Sequence, residues 1–271
     1  MSALRFAPSQ ETARARPAIA SRDSLAEIAI FSEVAPDEVA ALSRRCRWRR
    51  YGAGQTILQH RDAGCDVFFV VRGSVCAIYH SASGREVRFE DLSAGEIFGE
   101  FAAIDGAPRM ADVVAVTDTV VAAMSAELFH EVLRRHETVC VALLRRLTAI
   151  ARTMSQRVIE FSTLPVRNRI HAELLRLARI DADDPRETAV ITPAPTHAEI
   201  ASRISTHREA VTRELCELTR SGLIERRGNA LILRDVVALS DMVEETLAEP
   251  PTGMAGWPAA RRATAHAARV P

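Results

Sequence analysis

The chain has 271 residues, enough for two modest domains, and its 48% hydrophobic and 26% charged content lets each bury a core. Its 35 basic residues, all arginine, cancel 35 acidic ones, which excludes a blanket polyanion binder but leaves room for a local basic surface. Five cysteines (Cys46, Cys65, Cys76, Cys140 and Cys216) form no CxxC pair and no apolar run spans a membrane, so neither a disulfide framework, a zinc site nor a membrane partner is expected.

The N-terminus lacks the apolar core of a signal peptide, and a cytoplasmic protein is expected. Residues 1–22, rich in Arg and Ala, read as a disordered tail. Residues 24–45 have helical spacing, anchored by Leu25, Ile28, Val39 and Leu42, with a helix start at Pro36-Asp37-Glu38. From 46 to 125 short β-rich runs alternate with glycines: Val67 to Val71, Val75 to Tyr79, Val87 to Phe89 and Val120 to Ala122. Many short strands with turn signals predict a barrel or sandwich.

Residues 126–161 contain no Gly or Pro and predict one long helix. On it Leu143, Leu147, Ile150, Met154, Val158 and Phe161 recur every three or four residues. This is a coiled-coil seam for a homodimer, although a helix packed on the β-domain shows the same spacing. Pro165 ends that helix, and 161–165 is the expected hinge. A further helix is expected over 166–180, with Ile170, Leu174, Leu175 and Leu177 on its apolar side. A polar connector follows over 181–195, with a short strand at Ala189-Val190-Ile191. Residues 249–271, rich in Pro, Ala and Arg, read as a second disordered tail.

Between these lies the most specific local signal. Thr196 followed by Glu199 is a capping box, and ten residues on Thr206-His207-Arg208-Glu209 repeats the pattern. Two capped helices joined by a tight turn are a helix-turn-helix. Ser221-Gly222 stops the second helix, and Leu223 to Arg226 with Leu231 to Leu233 reads as a β-hairpin wing. The winged domain is expected over 166–240. The first turns of its second helix would present Arg208, Glu209 and Arg213 to a major groove, where Arg pairs with guanine and Glu accepts from cytosine.

His207-Arg208-Glu209-Ala210-Val211-Thr212-Arg213 resembles the recognition helix of the Crp–Fnr family of transcription regulators. The resemblance implies that Arg208, Glu209 and Arg213 read a TGTGA-like half-site in double-stranded DNA, within a reading surface of Thr196, Thr206, His207 and Thr212. It also implies a homodimer and RNA polymerase as a partner. Ser205 stands where the family usually has Gly in the inter-helix turn.

Residues 97–111 resemble the phosphate-binding cassette of cyclic-nucleotide-binding domains, in a form nearer to protein kinase A regulatory subunits. A short helix starting near Gly99-Glu100 would offer free N–H groups to a phosphate, and Arg109 a charge-assisted bond. Glu100 would accept a ribose hydroxyl. The resemblance thus implies a ligand set of Phe98, Gly99, Glu100, Phe101, Arg109, Met110 and Ala111, joined by Thr153, Met154 and Ser155 from the long helix. Met110 departs from the family's usual Ser or Ala, and Met154-Ser155 aligns with its adenine-reading Thr-Ser pair. Cyclic AMP and cyclic GMP both stay open as effectors.

The implied architecture is α+β: a cyclic-nucleotide-binding β-roll over 23–125, a long dimerisation helix over 126–161 and a C-terminal winged helix-turn-helix. The implied function is a cyclic-nucleotide-responsive transcription regulator. The alternatives are a nucleotide-independent regulator of the same family, and a receptor module that controls a protein partner. No nucleophile–base set, metal cluster or Walker loop points to an enzyme. No cysteine precedes Cys46 to hold an iron–sulfur cluster, and the histidines His60, His80, His130 and His136 read as surface or core residues rather than haem ligands.

Overall fold

The computed structural model describes residues 24–81, 86–180 and 188–248; the expected tails at 1–22 and 249–271 lie outside them. The chain divides into two units, Met1–Met154 and Ser155–Pro271.

The first unit begins with a short 3-10 turn, Ala29–Phe31, and α1, Pro36–Arg45, which carries Pro and acids in its first turn and Arg44 and Arg45 in its last, as the helix dipole favours. Eight strands follow: β1 Arg47–Tyr51, β2 Thr56–Leu58, β3 Val67–Arg72, β4 Ser74–His80, β5 Glu86–Ser93, β6 Ile97–Phe98, β7 Asp112–Ala115 and β8 Thr119–Met124. They pair antiparallel into two four-stranded sheets, β1-β8-β3-β6 and β2-β7-β4-β5. The unbroken apolar run of β3 is explained by burial on both faces. Phe68 and Val70 join Tyr51, Val75, Leu92 and Val121 in one cluster, while Val67, Phe69 and Val71 join Leu25, Phe31, Leu128 and Phe129 in another. Strand alternation therefore distributes apolar residues to two cores rather than to core and solvent.

The helix expected over 126–161 is two helices. α3 spans Ala126–Arg135 and α4 spans Glu137–Thr163, with His136 in extended conformation between them. The reason is tertiary. Leu128, Phe129 and Val132 of α3 and Val139 and Leu143 of α4 all enter the same cluster. A straight helix of that length would run over about 50 Å, past the end of a single domain core. The His136 carbonyl accepts from Val139 and Cys140, so the corner costs few hydrogen bonds. The same packing corrects the expected dimer seam: Leu143 is only 3% exposed and belongs to its own domain's core, with Leu147 packed against it. Ile150 and Met154 are half-buried, while Val158, 62% exposed, and Phe161 remain open. The large apolar residues exposed on α4 are Val141, Leu144, Val158, Ile159 and Phe161.

The second unit contains α5 Val166–Leu177, β9 Arg179–Ile180, β10 Ala189–Ile191, α6 His197–Arg203, α7 Arg208–Arg220, β11 Ile224–Arg227, β12 Ala230–Leu233 and α8 Val236–Ala248. The four strands form one antiparallel sheet, β11-β12-β10-β9, and the β11–β12 hairpin is the expected wing. Ile170, Leu174, Ile200, Val211, Leu218, Leu233 and Leu239 fill the core, so each helix contributes its apolar stripe. The last helix was not anticipated. Its one local signal is Asp235, whose carboxylate accepts from the Ala238 N–H at 2.8 Å. All five cysteines are free, and burial pushes the Cys46 thiol up to about 12, which makes it inert.

Candidate ligand pocket and nucleic-acid interface

The cassette residues converge where β6 leaves its sheet. Phe98 stacks on Phe68, with centroids 5.2 Å apart and planes 12° apart, inside the cluster between the two sheets. The Phe98 side chain is therefore part of the domain core, 4% exposed, as the strand's alternation places it. Gly99 then turns the chain at φ 79. A Cβ there would lie 2.8 Å from Arg109 Nη1 and 3.2 Å from the Asp66 carbonyl, so both conformation and space require glycine. Gly99 is the N-cap of α2, Glu100–Asp105, and no side chain caps its first turn.

Arg109 is 4% exposed. Its Nη1 donates to the Gly99 carbonyl and its Nη2 to the Asp66 carbonyl, each at 2.7 Å, and its guanidinium lies 5.8 Å from the centre of the Phe68 ring. Its backbone is pinned as well, donating to Asp62 O at 2.9 Å and accepting from Arg61 at 2.8 Å. Its Nε has no hydrogen-bond partner, and among the described residues no carboxylate bonds the guanidinium. Burial pulls its pKa down, against the nearby Cys65, Asp66, Asp62 and Glu100. Glu100 is buried beside it. Desolvation pushes its carboxyl up, against the pull of its own backbone N–H and of Arg146. Met110 is 58% exposed, and Phe101 and Ala111 are half-buried.

The structure thus brings Gly99, Glu100 and Arg109 together. Thr153 and Ser155 are exposed and Met154 half-buried on α4; no described bond joins Thr153 or Met154 to the Arg109 group. Two supporting residues escaped the sequence reading. His130 of α3 bonds the Ala103 carbonyl of α2 through Nε2 at 2.7 Å. Arg146 of α4 donates to Glu90 at 3.2 Å and to the Ile97 carbonyl at 3.1 Å, two residues before Gly99. Both contacts join residues far apart in sequence, so no local signal marks them.

In the second unit, the Thr196 capping box is present: Thr196 accepts from Glu199 N at 3.2 Å and Glu199 accepts from Thr196 N at 2.7 Å. The second expected box is not. α7 is capped by His207 with no side-chain bond, because Ser205 turns the chain at φ 52 and the Thr206 N–H closes back on Ala201 O at 2.9 Å. Thr206 thus ends α6 instead of starting α7. The side chains of Arg208, Glu209 and Arg213 are exposed, opposite the buried Val211, Leu215 and Leu218, and make no hydrogen bond or ion pair among the described residues. Thr212 is committed internally, donating to Arg208 O at 3.0 Å and bonding His197 Nδ1 at 2.8 Å. Behind α7, the buried His171 bonds Glu214 at 2.7 Å, and Arg167 donates to the same carboxylate oxygen at 3.0 Å.

Residues 48–136 match the cyclic nucleotide-binding domain family, and residues 168–242 match the Crp-like helix-turn-helix domain family. The chain belongs to the Crp–Fnr family of transcription regulators. Curated relatives of this Crp–Fnr protein include the "CRP-like cAMP-activated global transcriptional regulator" of Mycobacterium tuberculosis, 23% identical over 78% of this chain and 94% of the relative. The "Cyclic AMP receptor protein" of Thermus thermophilus is 28% identical over 79% and 95%. Among solved structures, a CooA mutant from Carboxydothermus hydrogenoformans superposes with TM-score 0.67 at 18% identity, covering 76% of this chain and 91% of that one. FixK2 from Bradyrhizobium japonicum gives 0.62 at 18% identity, covering 72% and 96%. At such identities the structures show the shared fold. In this Crp–Fnr chain the Arg109 group lies in the cyclic nucleotide-binding domain and α7 in the helix-turn-helix domain, and the described helices include none long and apolar enough to cross a membrane.

Proposed function

We propose that this regulator binds a 3′,5′-cyclic nucleotide through Arg109, Gly99 and Glu100, and reads a TGTGA-like half-site through Arg208, Glu209 and Arg213. One observation carries the reading: Arg109 is a buried cation that, among the described residues, bonds only carbonyl oxygens, with Nε unsatisfied. A buried charge without a directly bonded counter-charge is costly, and an anion at this place lowers the cost. A phosphodiester fits, because the uncapped first turn of α2 offers backbone donors beside the guanidinium. Glu100 would accept the ribose hydroxyl.

The regulator acts as a homodimer along α4. With Leu143 absorbed by its own core, the seam follows the exposed positions Val141, Leu144, Thr148, Ala151, Ser155, Val158 and Ser162, which recur every three or four residues. Two recognition helices then meet successive major-groove turns, about 34 Å apart on a pseudo-palindrome. The ligand favours this state only by binding it more tightly than the other. The names of the relatives favour cyclic AMP over cyclic GMP.

Calorimetric titration with cyclic AMP and cyclic GMP separately, on the unsubstituted protein and on Arg109→Ala, tests this. Binding of one nucleotide, weakened about hundredfold or more in Arg109→Ala, is the expected result. Heat from neither nucleotide would point to a nucleotide-independent regulator, and Met110, which supplies no hydroxyl, is the residue that favours that second reading.

A further inference from the structure

We propose that Arg176 and Arg169 are positioning residues that fasten the end of α4 to the helix-turn-helix, so that the segment 160–165 moves with the reading domain rather than serving as its hinge. The inference rests on the reading that α7 contacts DNA.

Two separate lines of contact run from the last turn of α4 to the reader. In the first, Arg176 of α5 grips Glu160 of α4 with Nη2, at 2.8 Å to each carboxylate oxygen. Its Nη1 bonds Glu173, one turn back on α5 and fully buried. Glu173 in turn lies 3.6 Å from Nη1 of Arg203, the last residue of α6. In the second line, the guanidinium of Arg169 covers the Phe161 ring of α4 at 5.6 Å and donates to the Ile204 carbonyl at 3.2 Å. Ile204 is the C-cap of α6 and precedes Ser205, where the turn into α7 begins. Both lines therefore start at adjacent residues of α4 and end at adjacent residues beside the inter-helix turn.

The linker itself is packed. Leu164 is buried against Ala172 and Val243, and its N–H donates to Glu160 O at 2.9 Å. Pro165 makes a corner, as the N-cap of α5, and not a flexible joint. The boundary between the two units falls between Met154 and Ser155, inside α4 and before either line begins. A rotation of the helix at Glu160 is carried towards the α6–α7 turn through the bonds of Arg176 to Glu160 and Glu173, the 3.6 Å ion pair of Glu173 with Arg203, and the bond of Arg169 to the Ile204 carbonyl.

Hydrogen exchange on the full-length protein, read by mass spectrometry, decides this without any ligand. In the unsubstituted chain, amides of 160–164 should exchange with the protection of α5 and α6. In Glu160→Gln, which leaves the Arg176–Glu173 pair intact, they should exchange about tenfold faster, while amides of 139–147 stay unchanged. Glu160→Asp should restore part of the protection. Arg169→Leu, which removes both the cation over Phe161 and the donor to the Ile204 carbonyl, should loosen the same segment. Exchange at 160–164 faster than in α5 before any substitution, or unchanged in both variants, overturns the proposal. DNA affinity measured with and without cyclic AMP adds the functional arm: the ratio should shrink in Glu160→Gln, and an unaltered ratio also overturns it. If the unsubstituted protein binds DNA equally with and without nucleotide, the ligand reading fails and the exchange result alone decides the fastening.

Discussion

Two arginines of this chain sit in polar interiors and are treated in opposite ways. Arg176 is surrounded by acids: it holds Glu160 with both carboxylate oxygens and bonds Glu173 as well, so its charge is answered within the fold. Arg109 is more deeply buried, yet it is given two carbonyls, an aromatic face and a bare Nε. Carbonyl dipoles orient a guanidinium without neutralising it. A closed network of this kind positions helices, while an open one is arranged for something that arrives. The distinction supports the proposed role of Arg109 without appeal to the chain's relatives.

That comparison is broken or sharpened by substitution, beginning with the largest effect. Arg109→Met should abolish measurable nucleotide binding while leaving the urea midpoint of the protein unchanged or higher, since a buried unpaired cation is removed. A fall in midpoint together with unchanged binding would reverse the assignment. Arg176→Met should do the converse, destabilising the second domain by about 2–3 kcal/mol because Glu173 and Glu160 lose their partner, with nucleotide binding kept in titration calorimetry. Arg208→Ala and Arg213→Ala extend the comparison to charges with no partner and no burial. Each should weaken specific DNA binding by about 1–3 kcal/mol in anisotropy titrations and shift stability by less than about 0.5 kcal/mol.

Ser205→Gly probes the backbone rather than a charge. A left-handed non-glycine residue is strained, so the glycine variant should be more stable by up to about 1 kcal/mol in thermal unfolding. His171 is an intermediate case, bonded to Glu214 through Nε2 while its buried Nδ1 has no partner. Burial pulls its pKa below the ordinary 6.5, against the bond and charge of Glu214, while Arg167 adds to the lowering. The folded state therefore holds the ring neutral. Its contribution is complete above the unfolded value and is lost as pH falls through the folded one. Urea midpoints taken from about pH 7.5 to about pH 5 should decline, and His171→Gln should flatten that decline.

What was legible in the sequence was local. The Thr196–Glu199 box, the Gly222 stop and the wing hairpin depend on residues within a few positions of one another, and the structure has them where the pattern puts them. The cassette glycine and arginine were legible because their spacing survives as a motif. The bend at His136, the loss of Leu143 from the expected seam and the shift of the α7 cap to His207 were not. Each is decided by a surface or a turn that the residue meets only after folding. The links to the α6–α7 turn are less legible still: Glu160 and Arg176 are 16 residues apart, Arg169 and Ile204 are 35, and nothing in either neighbourhood announces the partner.

The shortness of α2 has a consequence of its own. Six residues make fewer than two turns, below the length at which a helix in water outlasts the cost of nucleating it. Its shape is imposed from outside, by Gly99 at one end, by the buried Glu100 side chain, and by the imidazole of His130 on the Ala103 carbonyl near the other. The donors proposed to meet a phosphate are therefore a property of the surrounding scaffold, and a solvent or protease that melts α3 should erase the proposed binding surface before touching Gly99, Glu100 or Arg109.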